Sequence, residues 1–182
     1  MNRRHFLGTS LGSLAIAALG PSHLVLAQCA GRTEPNIEGP FYRPGAPFRS
    51  DLGEGLVIRG SVRDTRCRPL RDAVIDVWQA NPEGEYDLDG DELRGQLRTG
   101  ADGTFAISTV LPGRYRNGGT YRPRHVHVKL HANGRPPLTT QLYFPGDPEN
   151  DADSWFRPSL LLRRLPSGCH PRPAEHRFDF VL

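Results

Sequence analysis

The stretch Leu56-Val57-Ile58-Arg59-Gly60-Ser61-Val62 decides the fold. Leu56, Ile58, Gly60 and Val62 alternate with Val57, Arg59 and Ser61, and a period of two places the two sets on opposite faces of a β-strand. Ala73–Gln79 reads the same way, with Ala73, Ile75 and Val77 on one face and Val74, Asp76 and Trp78 on the other. Further out, Thr104–Thr109, His125–His131, Leu138–Phe144 and Arg177–Leu182 are strand candidates too. Asp102-Gly103, Pro112-Gly113, Asn117-Gly118 and Asn133-Gly134 supply turn chemistry between them. Only Asp153–Leu165 holds a helical segment, and Pro158 interrupts it. Short strands separated by turns predict an all-β fold, an antiparallel β-sandwich with long loops and little helix.

Composition agrees. Gly (20) and Pro (17) make up about a fifth of the 182 residues, with 37% hydrophobic and 24% charged residues. That balance excludes a disordered tail, a multi-pass membrane protein and a long helical bundle. The net charge of +3 comes from 23 basic and 20 acidic residues, and Lys129 is the only lysine. The arginines are scattered, with no run of five basic residues, so the charge describes a mixed solvated surface and not a nucleic-acid footprint.

The first 27 residues differ from the rest. Arg3 and Arg4 precede a mildly apolar stretch, Phe6 to Leu26, that ends in Val25-Leu26-Ala27. This order reads as a signal peptide, and Asn2-Arg3-Arg4-His5-Phe6-Leu7 is of the twin-arginine type used for export of folded proteins. The expected organisation is a signal at 1–27, a loop-rich segment at 28–55 and a β-sandwich at 56–182. The expected location is the periplasm or the exterior, with no stable membrane span after cleavage. Without the signal, 21 basic residues face 20 acidic ones, so most of the excess charge belongs to the signal. Cys29, Cys67 and Cys169 remain; an oxidising compartment permits one bridge, and the three pairings stay open.

His125-Val126-His127 puts two imidazoles on the same strand face, close enough to share one metal ion. An isolated pair of this kind is more often two surface histidines. Here it has company: Tyr86 follows Gly84-Glu85, Tyr115 follows Pro112-Gly113-Arg114, and Arg122-Pro123 comes just before the pair.

Together with other segments, these residues resemble the intradiol ring-cleavage dioxygenases, especially the catalytic subunit of protocatechuate 3,4-dioxygenase. The similar segments begin with Glu38-Gly39-Pro40-Phe41-Tyr42, Gly60-Ser61-Val62-Arg63-Asp64 and the run from Ala73 to Asn81. They continue through Gly84-Glu85-Tyr86, Pro112 to Tyr115, Arg122 to His127, Thr140 to Phe144 and Phe178 to Leu182. The resemblance implies one non-haem Fe(III) per chain, held by Tyr86, Tyr115, His125 and His127. Hard phenolate donors suit a hard ferric ion, and a bound cation depresses a phenol pKa far below its free value of about 10. It also implies cleavage of a catechol-type ring between its hydroxyls with O2, to a muconate-type diacid. Tyr115 is implied to leave the metal and take a substrate proton, Arg122 to stabilise negative charge on the ring, and Gln141 to line the pocket. Tyr42 and Tyr121 are candidate substrate contacts, Trp78 and His131 are read as structural, and His170 and His176 as exposed. The helical N-terminal extension of catechol 1,2-dioxygenases is not expected ahead of Glu38-Gly39-Pro40, and the assembly is expected to be a homo-oligomer or to include a sister subunit. The alternative is a non-catalytic transthyretin-like or carboxypeptidase-regulatory-like sandwich, in which the four ligand candidates would not converge.

Overall fold

The computed structural model describes residue 29, residues 31–166 and residues 173–182. The expected signal, Cys169 and His170 lie outside the described residues. The strands are β1 (Leu56–Arg63), β2 (Val74–Gln79), β3 (Arg94–Arg98), β4 (Thr104–Thr109), β5 (Arg116–Asn117), β6 (Thr120–Tyr121), β7 (His125–His131), β8 (Leu138–Tyr143), β9 (Arg163–Arg164) and β10 (Ala174–Val181). The strands expected from alternation are all present. Those missed are short, or polar as in Arg94-Gly95-Gln96-Leu97-Arg98, which carries too few apolar residues to show a period. One 3-10 turn, Pro158–Leu160, is the helix of the described residues. No helix among them is long and apolar enough to cross a membrane.

Two four-stranded sheets form, in the orders β4-β1-β10-β9 and β3-β2-β7-β8. One pairing corrects the expectation of a wholly antiparallel sandwich: β1 and β10 run parallel, Leu56 opposite Ala174 through Arg63 opposite Val181. The last strand enters next to the first from the same end, a long-range pairing that alternation along the chain cannot reveal. Leu56, Ile58, Val62, Phe105, Ile107 and Phe180 of the first sheet meet Ile75, Val77, Val126, Val128, Leu130 and Leu142 of the second in a single apolar core. Burying each of these side chains contributes about 1.5–3 kcal/mol.

The other face of the β3-β2-β7-β8 sheet is polar, yet it is not open to water. Residues 33–50 cross it as a strap. At the β8 edge the Asn36 N–H donates to Thr139 O at 2.9 Å; at the β3 edge Gln96 N–H donates to Pro47 O and Arg49 N–H to Gln96 O, both at 2.8 Å. Thr33 N–H is tied to Val181 O at 2.9 Å, and a disulfide joins Cys29, just before the strap, to Cys67 in the β1–β2 connection. The open question of cysteine pairing thus resolves to Cys29–Cys67 among the described residues.

Candidate metal centre

Strand register assembles one side of the site. Along β7, Val126, Val128 and Leu130 enter the core, so His125 and His127 face the strap. The β2–β7 register sets Trp78 opposite His127, and the β7–β8 register sets Gln141 opposite His127 and Tyr143 opposite His125. The two tyrosines come from loops that interlock through glycine. A Cβ on Gly84 (φ +89°) would sit 2.3 Å from Arg114 O, and one on Gly113 would sit 2.3 Å from Pro82 O. Only residues without a side chain let the Tyr86 and Tyr115 loops touch backbone to backbone. The Asn81 Oδ1 accepts from Glu83 N–H and Glu85 N–H, which fixes the turn ahead of Tyr86.

Three donor atoms converge. The Tyr86 hydroxyl is 3.3 Å from His125 Nε2 and 3.1 Å from His127 Nε2, and the two Nε2 atoms are 3.2 Å apart. Donors about 2.1 Å from a shared ion stand about 3.0–3.4 Å from one another. The proton inventory also favours a cation. His125 Nδ1 donates to Pro123 O at 2.7 Å, which leaves its Nε2 as a lone pair aimed at the others. His127 Nδ1 is buried without a partner. Burial, followed by the nearby Arg122 charge, lowers the His125 pKa to about 4. Burial and His125 hold His127 well below its ordinary value. Both rings are therefore neutral ligands at pH 7. Burial pushes the Tyr86 phenol up, a cost that a bound cation reverses. The Tyr86 phenolic oxygen is the third protein donor beside the two imidazoles. The donor set fits a hard, high-valent metal.

Tyr115 stands one ring away, edge-on to Tyr86 at 5.6 Å and tilted toward His125 at 5.9 Å; no hydrogen bond links its hydroxyl to the three donor atoms. The structure therefore brings Tyr86, His125 and His127 into direct contact, with Tyr115 beside them. A sandwich module in which these residues stay apart does not describe this arrangement.

Arg122 is 3% exposed, and the Nε and Nη2 edges of its guanidinium are committed. Nε and Nη2 reach Asp153 Oδ2 at 3.1 and 2.8 Å. Nη2 also reaches Gln141 Oε1 at 2.9 Å and the Tyr143 hydroxyl at 3.2 Å. Nη1 points at His125 Nε2 from 3.4 Å, and the group stacks on Trp155 at 4.7 Å. Burial opposes its charge, but the Asp153 carboxylate more than offsets that and raises its pKa. Gln141 accepts from Arg122 and from the Tyr143 hydroxyl at 2.9 Å, and its Nε2 donates to Ile37 O at 2.8 Å. With its polar atoms engaged, Gln141 holds Arg122 in place.

The two histidines are oriented differently. Behind the donor atoms, His125 is held by a hydrogen bond from Nδ1, and His127 by ring contacts alone. The Trp78 indole lies parallel on the His127 ring at 4.7 Å and 11°, and a Cβ on Gly39 (φ +73°) would come 3.3 Å from His127 Cε1. Trp78 is thus buried against the site, not in the inter-sheet core. Tyr42 belongs to the layer behind it, bonded to Asp76 Oδ2 at 3.2 Å and packed on Trp78 at 4.8 Å. Tyr121 on β6 is 52% exposed. His131 is exposed, whereas His176 is buried at 6% exposure, which corrects the expectation that it faces solvent. Sequence reading missed Phe41, stacked on Tyr86 at 4.2 Å, and Asp153, Trp155 and Tyr143. The available signals were Phe41 in Gly39-Pro40-Phe41-Tyr42 and the position of Tyr143 two residues after Gln141 on β8.

Comparison with known proteins agrees with this geometry. The family model described as "Dioxygenase" matches residues 37–182. The chain is 36% identical over 154 residues to the chlorocatechol 1,2-dioxygenase of Pseudomonas sp. (strain P51), covering 70% of this chain and 61% of that one. It is 38% identical over 155 residues to the protocatechuate 3,4-dioxygenase beta chain of Burkholderia cepacia, covering 72% and 65%. Among solved structures, the dioxygenase domain of a dioxygenase carbohydrate-binding protein fusion from Streptomyces sp. SirexAA-E superposes with a TM-score of 0.77 at 42% identity, covering 84% of this chain and 98% of that one. The chain spans about three-fifths of the length of the chlorocatechol relatives it matches.

Proposed function

This chain belongs to the intradiol ring-cleavage dioxygenases, and from that premise we propose that it opens a catechol-type ring between its two hydroxyls with O2, using one non-haem Fe(III). The observation that carries this reading is the triangle of Tyr86, His125 and His127 donor atoms, 3.1–3.3 Å on each edge, with a buried guanidinium beside it. Tyr86, Tyr115, His125 and His127 would hold the ion. When bound, Fe(III) draws electron density from a catecholate and makes its ring carbon reactive toward O2. The protein does the rest. Tyr115, the donor outside the hydrogen-bonded triangle, takes a catechol proton on its phenolate oxygen as the substrate enters. Arg122, fixed by Asp153 and Gln141, presents Nη1 where negative charge builds on the ring, a preorganised interaction that needs no rearrangement during the reaction. Phe41 and Trp78 exclude water from the ligand rings.

Both oxygen atoms of O2 appear in the product, a cis,cis-muconate-type diacid. Among catechols a protocatechuate-like substrate is favoured. An oxygen-uptake screen over catechol, protocatechuate, hydroxyquinol and larger catechols tests the reading. The expected result is one O2 consumed per substrate and a ring-opened product heavier by two oxygen atoms. A product opened beside the hydroxyls, or no uptake by iron-loaded protein, would overturn it.

The same proposal places the protein outside the cytoplasm. The twin-arginine signal motivates this, and the Cys29–Cys67 bridge supports it, since disulfides persist in oxidising compartments. Replacing Arg3 and Arg4 with lysine should leave the precursor in the cytoplasm; unchanged export would contradict the assignment.

A further inference from the structure

His176 occupies a position where the fold asks for an apolar residue. On β10 it pairs with Ile58 of β1 in the parallel register, on the same strand face as Phe180 and Leu182 of the core. It is 6% exposed, and its Nδ1 is buried without a hydrogen-bond partner. A leucine or phenylalanine there would avoid burying an unpaired nitrogen. Nothing in the metal centre uses this ring.

His176 lines a cavity of about 330 Å³ at the end of the sandwich where β10 begins. Leu56, Leu111, Phe144 and Ala174 form apolar walls, and the Phe144 ring stands edge-on to the imidazole at 5.4 Å. Arg124, Asp147 and Arg164 complete the polar lining. Arg124 is matched by Asp147, Nη1 to Oδ2 at 2.9 Å, whereas Arg164 makes no ion pair among the described residues. Burial, followed by the Arg164 charge, lowers the His176 pKa, so the ring stays a neutral hydrogen-bonding group at pH 7. Among the described residues the lining thus carries one guanidinium without an ion pair, one neutral imidazole and an apolar body of wall. Small-molecule sites span about 300–1,000 Å³, and a volume at the low end suits a single ring. Arg124 directly precedes His125 in the chain, but none of the groups that surround the donor atoms lines the cavity.

We propose that this cavity is a second ligand site, distinct from the metal centre, that takes a compact carboxylate with an apolar body, such as a single-ring aromatic acid. The anionic head meets Arg164 and the imidazole of His176, and the ring lies against Leu56, Leu111 and Phe144. The proposal does not depend on the catalytic reading.

Calorimetric titration of the iron-loaded protein with benzoate, and with benzamide as its neutral counterpart, tests it. Benzoate should bind, with benzamide at least about tenfold weaker for want of the charge-assisted contact. Arg164→Gln should weaken benzoate by about tenfold. His176→Phe, which keeps a ring in the core but removes the polar imidazole from the lining, should weaken benzoate by about tenfold while catechol-dependent oxygen uptake stays as in the wild type. His127→Ala, which disrupts the metal centre, should leave the benzoate affinity unchanged. Benzoate binding that is undiminished in both His176→Phe and Arg164→Gln, or that vanishes in His127→Ala, would assign it to the metal centre and overturn the proposal. No benzoate binding to the wild type would do the same.

Discussion

Along β7, Val126, Val128 and Leu130 face the other sheet, while His125, His127 and Lys129 face the strap formed by residues 33–50. Both faces are largely buried, but by different means. The inner face packs apolar surface against apolar surface, and its contribution is stability. The outer face is roofed by backbone hydrogen bonds and by Phe41 and Tyr42, and what it buries is two imidazoles, a phenol and an ion pair. A sandwich normally leaves its outer face to water. Here the strap turns that face into a low-dielectric chamber in which the two imidazoles and Arg122 are buried. Stability and chemistry are thereby divided between alternate residues of one strand, and changes on the two faces should fail in different ways.

The largest effect should come from the outer face. His125→Ala or His127→Ala should lower iron-dependent oxygen uptake by more than the about 10–100-fold typical of losing a ligand's supporting partner. The metal-free variants should keep the unfolding midpoint of the metal-free wild type at pH 7, checked by metal analysis alongside thermal melts. A metal-free protein that unfolds would show that the two faces are not separable. On the inner face, Leu130→Ala or Ile75→Ala should cost about 2–5 kcal/mol in denaturant unfolding, with iron per folded chain unaltered. Loss of iron at full stability would erase the distinction.

Acid should act through the outer face. An unfolded histidine takes a proton near pH 6.5, whereas His125 resists until about 4. Between these values the unfolded state binds more protons, so stability falls as pH falls. Metal-free protein should lose roughly 3 kcal/mol from His125 between pH 7 and 4, with His127 adding in the same direction. Asp64, held at about 2 mainly by its hydrogen bond to Arg68, gives way only below that window. Denaturant melts at pH 7, 6, 5 and 4 read this directly, and a flat profile would mean that the imidazoles are not held neutral.

The smallest effect separates the two histidines. Trp78→Leu removes the ring stacked on His127 and Gly39→Ala crowds its Cε1, so each should weaken iron binding by about tenfold and alter the visible spectrum of the iron form. Conservative Trp78→Phe should restore most of it. If Trp78→Leu lowers only the melting temperature, the indole is packing and not positioning.

Much of this division was legible in the sequence, because it rests on a period of two. The alternation in 56–62 and 73–79 exposed the strands, and His125-x-His127 set two imidazoles on one face. The interlocking turns were visible as Gly84 and Gly113, each two residues before its tyrosine. What stayed hidden depends on residues far apart in the chain. The parallel docking of β10 on β1 leaves no local trace. Asp153, reaching Arg122 from 31 residues away, looks like any loop carboxylate. His176 sits among charged residues and next to a proline-rich stretch, so its turn into the core is evident only once β10 is placed against Ile58.

The central claim is that Tyr86, with His125 and His127, holds ferric iron as a phenolate. The visible absorption spectrum of iron-loaded protein, measured with iron per chain, tests it most directly. A burgundy protein with a broad charge-transfer band at one iron per chain, shifted and weakened in Tyr86→Phe, is the predicted result. A colourless protein at one iron per chain, or a band unchanged by Tyr86→Phe, would contradict it.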